Sequence, residues 1–347
     1  MRRYERTLAA AVLATAVVAG TAGWASGDTQ RAVTGPPPGS AAWRADTSLG
    51  RTLPDPATAP PGRVAAFFDG LTQRQKGSLV RRHPLVVGNL DGAPVALRYA
   101  ANARAIRAEH SPRYERLAAP GRHILAFDPR GRGQVAEVYG DLATARRVSV
   151  VVPGADIDAA SFDRTKNPYG TPAGMAAALR EATNDRTAVV AWTGYTTPVG
   201  VGLDAATGDL AEAGAGRLVR FTRGLAAVGA HRPVLFCHSY GSVVCGLAAH
   251  EVNASDIVVY GSPGMRAADV AGLRTDARVW AAKDASDWIS KVPNVEFAGL
   301  GHGADPAGPG FGARRVPASL ARGHTGYFAP GTDSLRAFAA IAEGTLR

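Results

Sequence analysis

From Gly121 onward the chain alternates short apolar runs with stretches of helical pattern, and this alternation leaves it few folds. The runs occupy residues 123–127, 135–139, 148–152, 188–193, 234–237, 257–260 and 279–282, with a last short one expected at 313–316. Helical patterns fill residues 171–182, 210–228, 241–250 and 267–274, and a final one covers 334–342. Strands separated by helices form a mostly parallel twisted sheet covered by helices on both faces, an α/β architecture. An antiparallel hairpin around 128–133 opens it, and a helical preface over 63–120 precedes it.

The residues before that domain read as an address and a spacer. Arg2, Arg3 and Arg6 precede an unbroken apolar stretch over residues 8–19, long enough for the core of an export signal and short for a membrane span. Residues 1–25 are therefore expected as a signal peptide cleaved after Ala22 or Ala25, an uncleaved anchor being the alternative. No cysteine follows the apolar run, which excludes a lipoprotein anchor by residue type. Residues 26–62 hold Pro36-Pro37-Pro38, Pro54-Asp55-Pro56 and Pro60-Pro61, the composition of an extended linker. The domain proper is expected over 63–347. The protein is accordingly read as secreted or held at the cell envelope.

Charge narrows the partners. The chain carries 39 Lys+Arg against 29 Asp+Glu; removing residues 1–25 leaves 36 against 28, a net +8. Nearly all of the positive charge is scattered Arg, with Lys only at positions 76, 166, 283 and 291, and no basic run or aromatic-interleaved stripe accompanies it. Nucleic-acid binding is therefore excluded as a reading, and affinity for an anionic envelope is retained. Two cysteines and eight histidines without metal-ligand spacing predict neither a metal site nor a cofactor.

The chemistry centres on residues 234–244, Val-Leu-Phe-Cys-His-Ser-Tyr-Gly-Ser-Val-Val. An apolar strand runs into Ser239 and an apolar helix follows at once, the context in which a sharp turn lifts a nucleophilic hydroxyl above the sheet. The helix N-terminus then offers N–H groups to an oxyanion, the Tyr240 amide among them. A second donor is expected from Ala155, because Pro153-Gly154-Ala155 ends the preceding strand and glycine permits close backbone approach. Cys237 stands where the usual motif has glycine. Positions two before and two after the serine pack together, and Cys245 lies one helical turn beyond Gly241, so a Cys237–Cys245 disulfide is expected in an oxidising compartment.

A serine nucleophile needs a base, and the base needs an orienting acid. His324, in Gly323-His324-Thr325-Gly326-Tyr327, sits between the last strand and the terminal helix and is the expected base; His302, in a Gly/Pro-rich loop, is the alternative. Asp284 and Asp287 both follow the strand at 279–282 and both are placed to serve as the acid. His238 is read as a packing residue, since neighbours of an elbow serine diverge.

Several ordered signatures accompany this constellation: His83-Pro84, Gly88-Asn89-Leu90-Asp91-Gly92, Gly140-Asp141, Thr193-Gly194-Tyr195, His238-Ser239-Tyr240-Gly241-Ser242, Gly261-Ser262-Pro263-Gly264, Asp305-Pro306 and Gly323-His324 with Tyr327. Over roughly residues 60–345 the chain resembles an α/β-hydrolase-like family classed as a domain of unknown function, common in high-GC Gram-positive bacteria. The resemblance implies the α/β-hydrolase fold and a Ser239, Asp287, His324 triad, and it favours Asp287 over Asp284; it supplies no substrate. The expected activity is hydrolysis of a small-molecule or lipid ester. Acyl transfer or amide cleavage by the same triad, or a non-catalytic binding role on the same fold, are the alternatives.

Overall fold

The structure is a computed structural model, and it describes residues 29–230 and 232–346. The expected signal segment lies outside the described residues.

The α/β alternation is realised as an eight-stranded sheet in the order β1-β2-β4-β3-β5-β6-β7-β10. Here β1 is Ile124–Asp128, β2 Gln134–Tyr139, β3 Val148–Val152, β4 Ala188–Thr193, β5 Val234–His238, β6 Asp256–Tyr260, β7 Arg278–Ala282 and β10 Arg314–Val316. The β1–β2 hairpin is antiparallel, as is β2 against β4, and every other pairing in this sheet is parallel. A separate small ribbon pairs β8, Glu296–Phe297, with β9, Leu300–Gly301.

Both sheet faces are covered, which is why the central strands read as continuous apolar runs. In β5, Leu235 and Cys237 enter one core while Val234 and Phe236 enter the other; β6 divides Ile257 and Val259 from Val258 and Tyr260 in the same way. The first face is packed by helices Asp209–Ala227 and Gly241–Ala248, the second by Pro172–Ala182 and Asp333–Ala342. The helical pattern expected at 267–274 is not a helix. Gly303 forms a bridge with Ala267, and only a single 3-10 turn, Ala271–Leu273, follows.

The helical preface, Pro61–Asp69, Gln73–Arg82, Pro84–Asn89 and Val95–Ala108, closes the exposed edge of β1 with polar side chains. Asn89 accepts from the Phe127 amide at 3.1 Å and donates to its carbonyl at 2.6 Å; Asn102 donates to Ile124 O and Arg98 to Leu125 O. An unpaired strand edge is thus satisfied without another strand.

Residues 29–62, expected as a spacer, instead lie against the domain. Trp43, in the short helix Ser40–Arg44, is fully buried with Leu53 in a third apolar cluster that includes Val64, Phe68 and Leu79, and its Nε1 donates to Pro54 O at 2.7 Å. Proline-rich backbone leaves its carbonyls unpaired. Arg220 donates to those of Pro56 and Ala59 and Arg130 to that of Thr34, which fastens the segment down.

Candidate active site

The strand β5 ends in a turn at Ser239, whose φ of 52° is left-handed. A non-glycine residue pays roughly 1–3 kcal/mol for that conformation, and such strain is tolerated where surrounding structure imposes it. Here the Ser239 amide is tied to Tyr260 O at 3.0 Å, and the helix that follows passes so close to the end of β3 that a Cβ on Gly241 would lie 2.6 Å from the carbonyl oxygens of Val152 and Pro153.

Two residues before the serine, where a glycine would ease the crossing, the chain has Cys237. It forms a disulfide with Cys245, Cα to Cα 6.5 Å, and both residues are wholly buried. The bridge ties the last residues of the strand to the helix that carries the elbow.

Gly154 approaches the serine from β3. A Cβ at that position would stand 2.5 Å from Ser239 Cβ, 3.0 Å from Ser239 Oγ and 3.1 Å from the Tyr240 amide nitrogen. The missing side chain therefore leaves open the space that both the hydroxyl and this amide face. Neither the Tyr240 nor the Ala155 amide is used in a turn or loop hydrogen bond among the described residues.

The expected acids and bases separate clearly. His324 Nδ1 lies 2.9 Å from Asp287 Oδ1 and 3.1 Å from Oδ2. Asp287 also accepts from the Ile289 amide at 2.9 Å and from the Tyr327 hydroxyl at 2.7 Å. Burial works against its charge, but these bonds, led by that from His324, outweigh it and hold the carboxyl below its ordinary range. Asp284 faces elsewhere: its Oδ2 accepts from Ser286 and from the Gly323 amide, so it braces the loop that carries His324. His302 has no acid partner among the described residues. Its Nε2 bonds Ala205 O at 2.7 Å, its ring meets Tyr240 edge-on, and burial pushes its pKa down to about 4.

The imidazole of His324 is held on two sides, by Trp288 and by His238, with ring centroids 4.7 Å apart in each case. The ring of His238 also stacks on Tyr260, and its Nε2 lies 2.7 Å from the His324 carbonyl oxygen. Burial pushes its pKa down to about 3, so it is neutral and carries its proton on Nε2, the only form that can donate to a carbonyl. Gly261, beside the end of β5, lets the His324 ring come near: a Cβ there would sit 3.1 Å from Nδ1. The Ser239 hydroxyl makes no hydrogen bond among the described residues. In such sites the nucleophile–base contact often tightens only when substrate arrives.

Two contributors were not assigned a role from sequence: Tyr327 buttresses Asp287 and Trp288 flanks His324. His238, expected as a packing residue, packs on His324 and anchors its backbone. Among the described residues no group of His, Cys, Asp and Glu is arranged to hold a metal ion.

The α/β-hydrolase family model Abhydrolase_8 matches residues 128–297, which span the hairpin, the elbow strand and Asp287. The chain has the α/β-hydrolase fold. The match bears out the resemblance read from the ordered motifs. The chain is 27% identical to the uncharacterised proteins Rv2079 and MT2140 of two Mycobacterium tuberculosis strains, over 84% of its own length and 57% of theirs. It thus spans a little over half the length of these curated relatives. Solved structures similar to it include a predicted CIB-like hydrolase from Thermoplasma acidophilum (15% identity, 66% of this chain and 98% of that one, TM-score 0.37). Another is XC6422 from Xanthomonas campestris, described as a serine hydrolase without a lid (16% identity, 65% and 95% covered, TM-score 0.38).

Proposed function

We propose that the protein is a serine hydrolase that cleaves carboxylic esters with Ser239 as nucleophile, His324 as base and Asp287 as orienting acid. The observation that carries this reading is the paired, two-point contact of His324 Nδ1 with the buried Asp287, set beside a left-handed serine at the end of β5.

In this mechanism Ser239 Oγ attacks the carbonyl carbon while its proton passes to His324 Nε2. Asp287 fixes the tautomer that leaves Nε2 free to accept and stabilises the imidazolium that results. The oxyanion enters the space left by the absent Gly154 side chain and receives N–H bonds from Tyr240 and Ala155. Collapse breaks the ester C–O bond, the alcohol leaves with the proton from His324, and water repeats the sequence to release the acid and restore Ser239. Trp288 stays 40% exposed while packing on His324, which favours an apolar acyl or alcohol group at the site.

The buried disulfide supports action outside the cytoplasm. The excess of positive charge supports attraction to an anionic envelope. The test is labelling of the folded protein by a fluorophosphonate probe, followed by turnover of p-nitrophenyl esters of rising chain length. Labelling lost in Ser239→Ala and ester turnover supports the proposal. A folded protein that takes no label supports a binding role on the same fold.

A further inference from the structure

Away from the serine, a cavity of about 290 Å³ lies among the N-terminal segment, the β1–β2 hairpin and the helix Asp209–Ala227. Ser239, Asp287 and His324 do not border it. Its apolar wall includes Phe127, Trp192 and Phe221, and its size is near the lower end of small-molecule sites.

Its charged residues are out of balance. Arg98, Arg130, Arg217 and Arg220 face the cavity against only Asp91 and Asp128. Both carboxylates are already taken: Asp91 pairs with Arg98 at 3.1 Å and with Arg220 at 3.6 Å, and Asp128 pairs with Arg130 at 2.6 Å. Arg130 and Arg220 also hold the N-terminal segment through its carbonyls. Those three arginines have a structural occupation.

Arg217 does not. Its Nε donates to Gly194 O at 2.5 Å, and no described carboxylate comes within ion-pair distance of it. Arg217 is half-buried; burial lowers its pKa, and Asp128 and Asp91 offset this only from a distance. The Arg217 charge thus borders the cavity with no carboxylate partner among the described residues.

We propose that this cavity binds a small organic anion, its carboxylate or phosphate group paired with Arg217 and its apolar part against Trp192 and Phe221. The planar guanidinium suits either oxyanion, since both present paired oxygens to its fork of N–H groups.

Calorimetric titration of the purified protein with 2-naphthoate, 2-naphthyl phosphate and the uncharged 2-naphthol tests this at fixed ionic strength. At least one anion is expected to bind with one-to-one stoichiometry and at least tenfold more tightly than the neutral ring, and the stronger of the two names the anionic group. Arg217→Gln should weaken binding by tenfold or more. Should that variant fold poorly, Gly216→Phe serves. A Cβ at Gly216 meets no atom within 4 Å, so the ring projects into open space at the cavity border and should block binding in a stable protein. Fluorophosphonate labelling of Ser239 should be unchanged in Gly216→Phe. No binding by either anion, equal affinity for 2-naphthol, or undiminished affinity in Gly216→Phe would overturn the proposal.

Discussion

The Tyr327 hydroxyl lies 2.7 Å from Asp287 Oδ2 and also receives the Asp284 amide at 3.0 Å, so one side chain fixes both the carboxylate that meets His324 and the start of the loop that presents it. Burial keeps this hydroxyl protonated, which makes it a donor to the carboxylate throughout the working pH range. Tyr327→Phe keeps the ring in its core and removes both bonds, the one to the Asp287 carboxylate and the one from the Asp284 amide. A hydrogen bond to a charged group contributes about 1.5–3 kcal/mol, so ester turnover should fall by about tenfold or more. Steady-state kcat with little change in KM is the diagnostic; a fall in KM affinity alone would assign Tyr327 to substrate binding.

Gly154→Ala tests the oxyanion space. The new methyl would fall 2.5 Å from Ser239 Cβ and 3.0 Å from Oγ, in the volume assigned to the developing charge. Turnover should fall by about 10²–10³, the scale seen when oxyanion stabilisation is lost, with the melting temperature changed by only a few degrees. Equal loss of activity and of fold would indicate a packing role instead.

The disulfide predicts a chemical result. Unfolded, unreduced protein should show no reactive thiol, and reduction should expose two, since Cys237 and Cys245 are bonded to each other. The closed loop is short, so chain-entropy reasoning limits its contribution to about 3 kcal/mol. The Cys237→Ser, Cys245→Ser double variant should therefore fold, with a lower melting temperature and slower turnover from a looser elbow.

Stability should fall on the acid side, and the sign follows from two histidines. His238 and His302 have pKa values pushed down to about 3 and about 4 from an ordinary 6.5, so between those limits the unfolded chain binds more protons than the folded one. Their stabilisation is complete above pH 6.5 and is lost as the pH falls toward 4; Asp287, also lowered, adds loss through the carboxylate range. From pH 7.5 to pH 5 each histidine contributes on the order of 2 kcal/mol of lost stability. His238→Gln keeps a donor for the His324 carbonyl and cannot titrate, so its urea midpoint should depend less steeply on pH than that of the wild type. An identical slope in both proteins would remove His238 from this account.

Much of this was legible in the sequence because the central strands are buried on both faces. Residues 148–152 and 234–237 are apolar apart from Ser149, and the polar pair His238-Ser239 interrupts the β5 run at the point where the turn occurs. The cysteine pair was legible because the elbow brings its flanking positions together. Asp284 and Asp287 could not be ranked from the residues alone: each follows β7 within a few positions, and what separates them is the capture of Asp284 by Ser286 and the Gly323 amide. Tyr327 reads as an ordinary core aromatic, and its role depends on a 3-10 turn, Gly323–Phe328, that sets positions 324 and 327 on one side. Trp43 was hidden among prolines, where composition suggests a free linker although one large ring is enough to anchor it. The spacing of apolar residues over 267–274 fits a helix, but there the backbone is engaged with Gly303.

The most direct measurement of the central claim is mass-spectrometric mapping of the adduct formed when folded protein meets a fluorophosphonate, compared across wild type, Ser239→Ala, His324→Ala and His302→Ala. The account predicts a single adduct on Ser239, absent from Ser239→Ala, slowed by several orders of magnitude in His324→Ala, and nearly unchanged in His302→Ala. An adduct on another residue, or a rate that depends on His302 and not on His324, would contradict it.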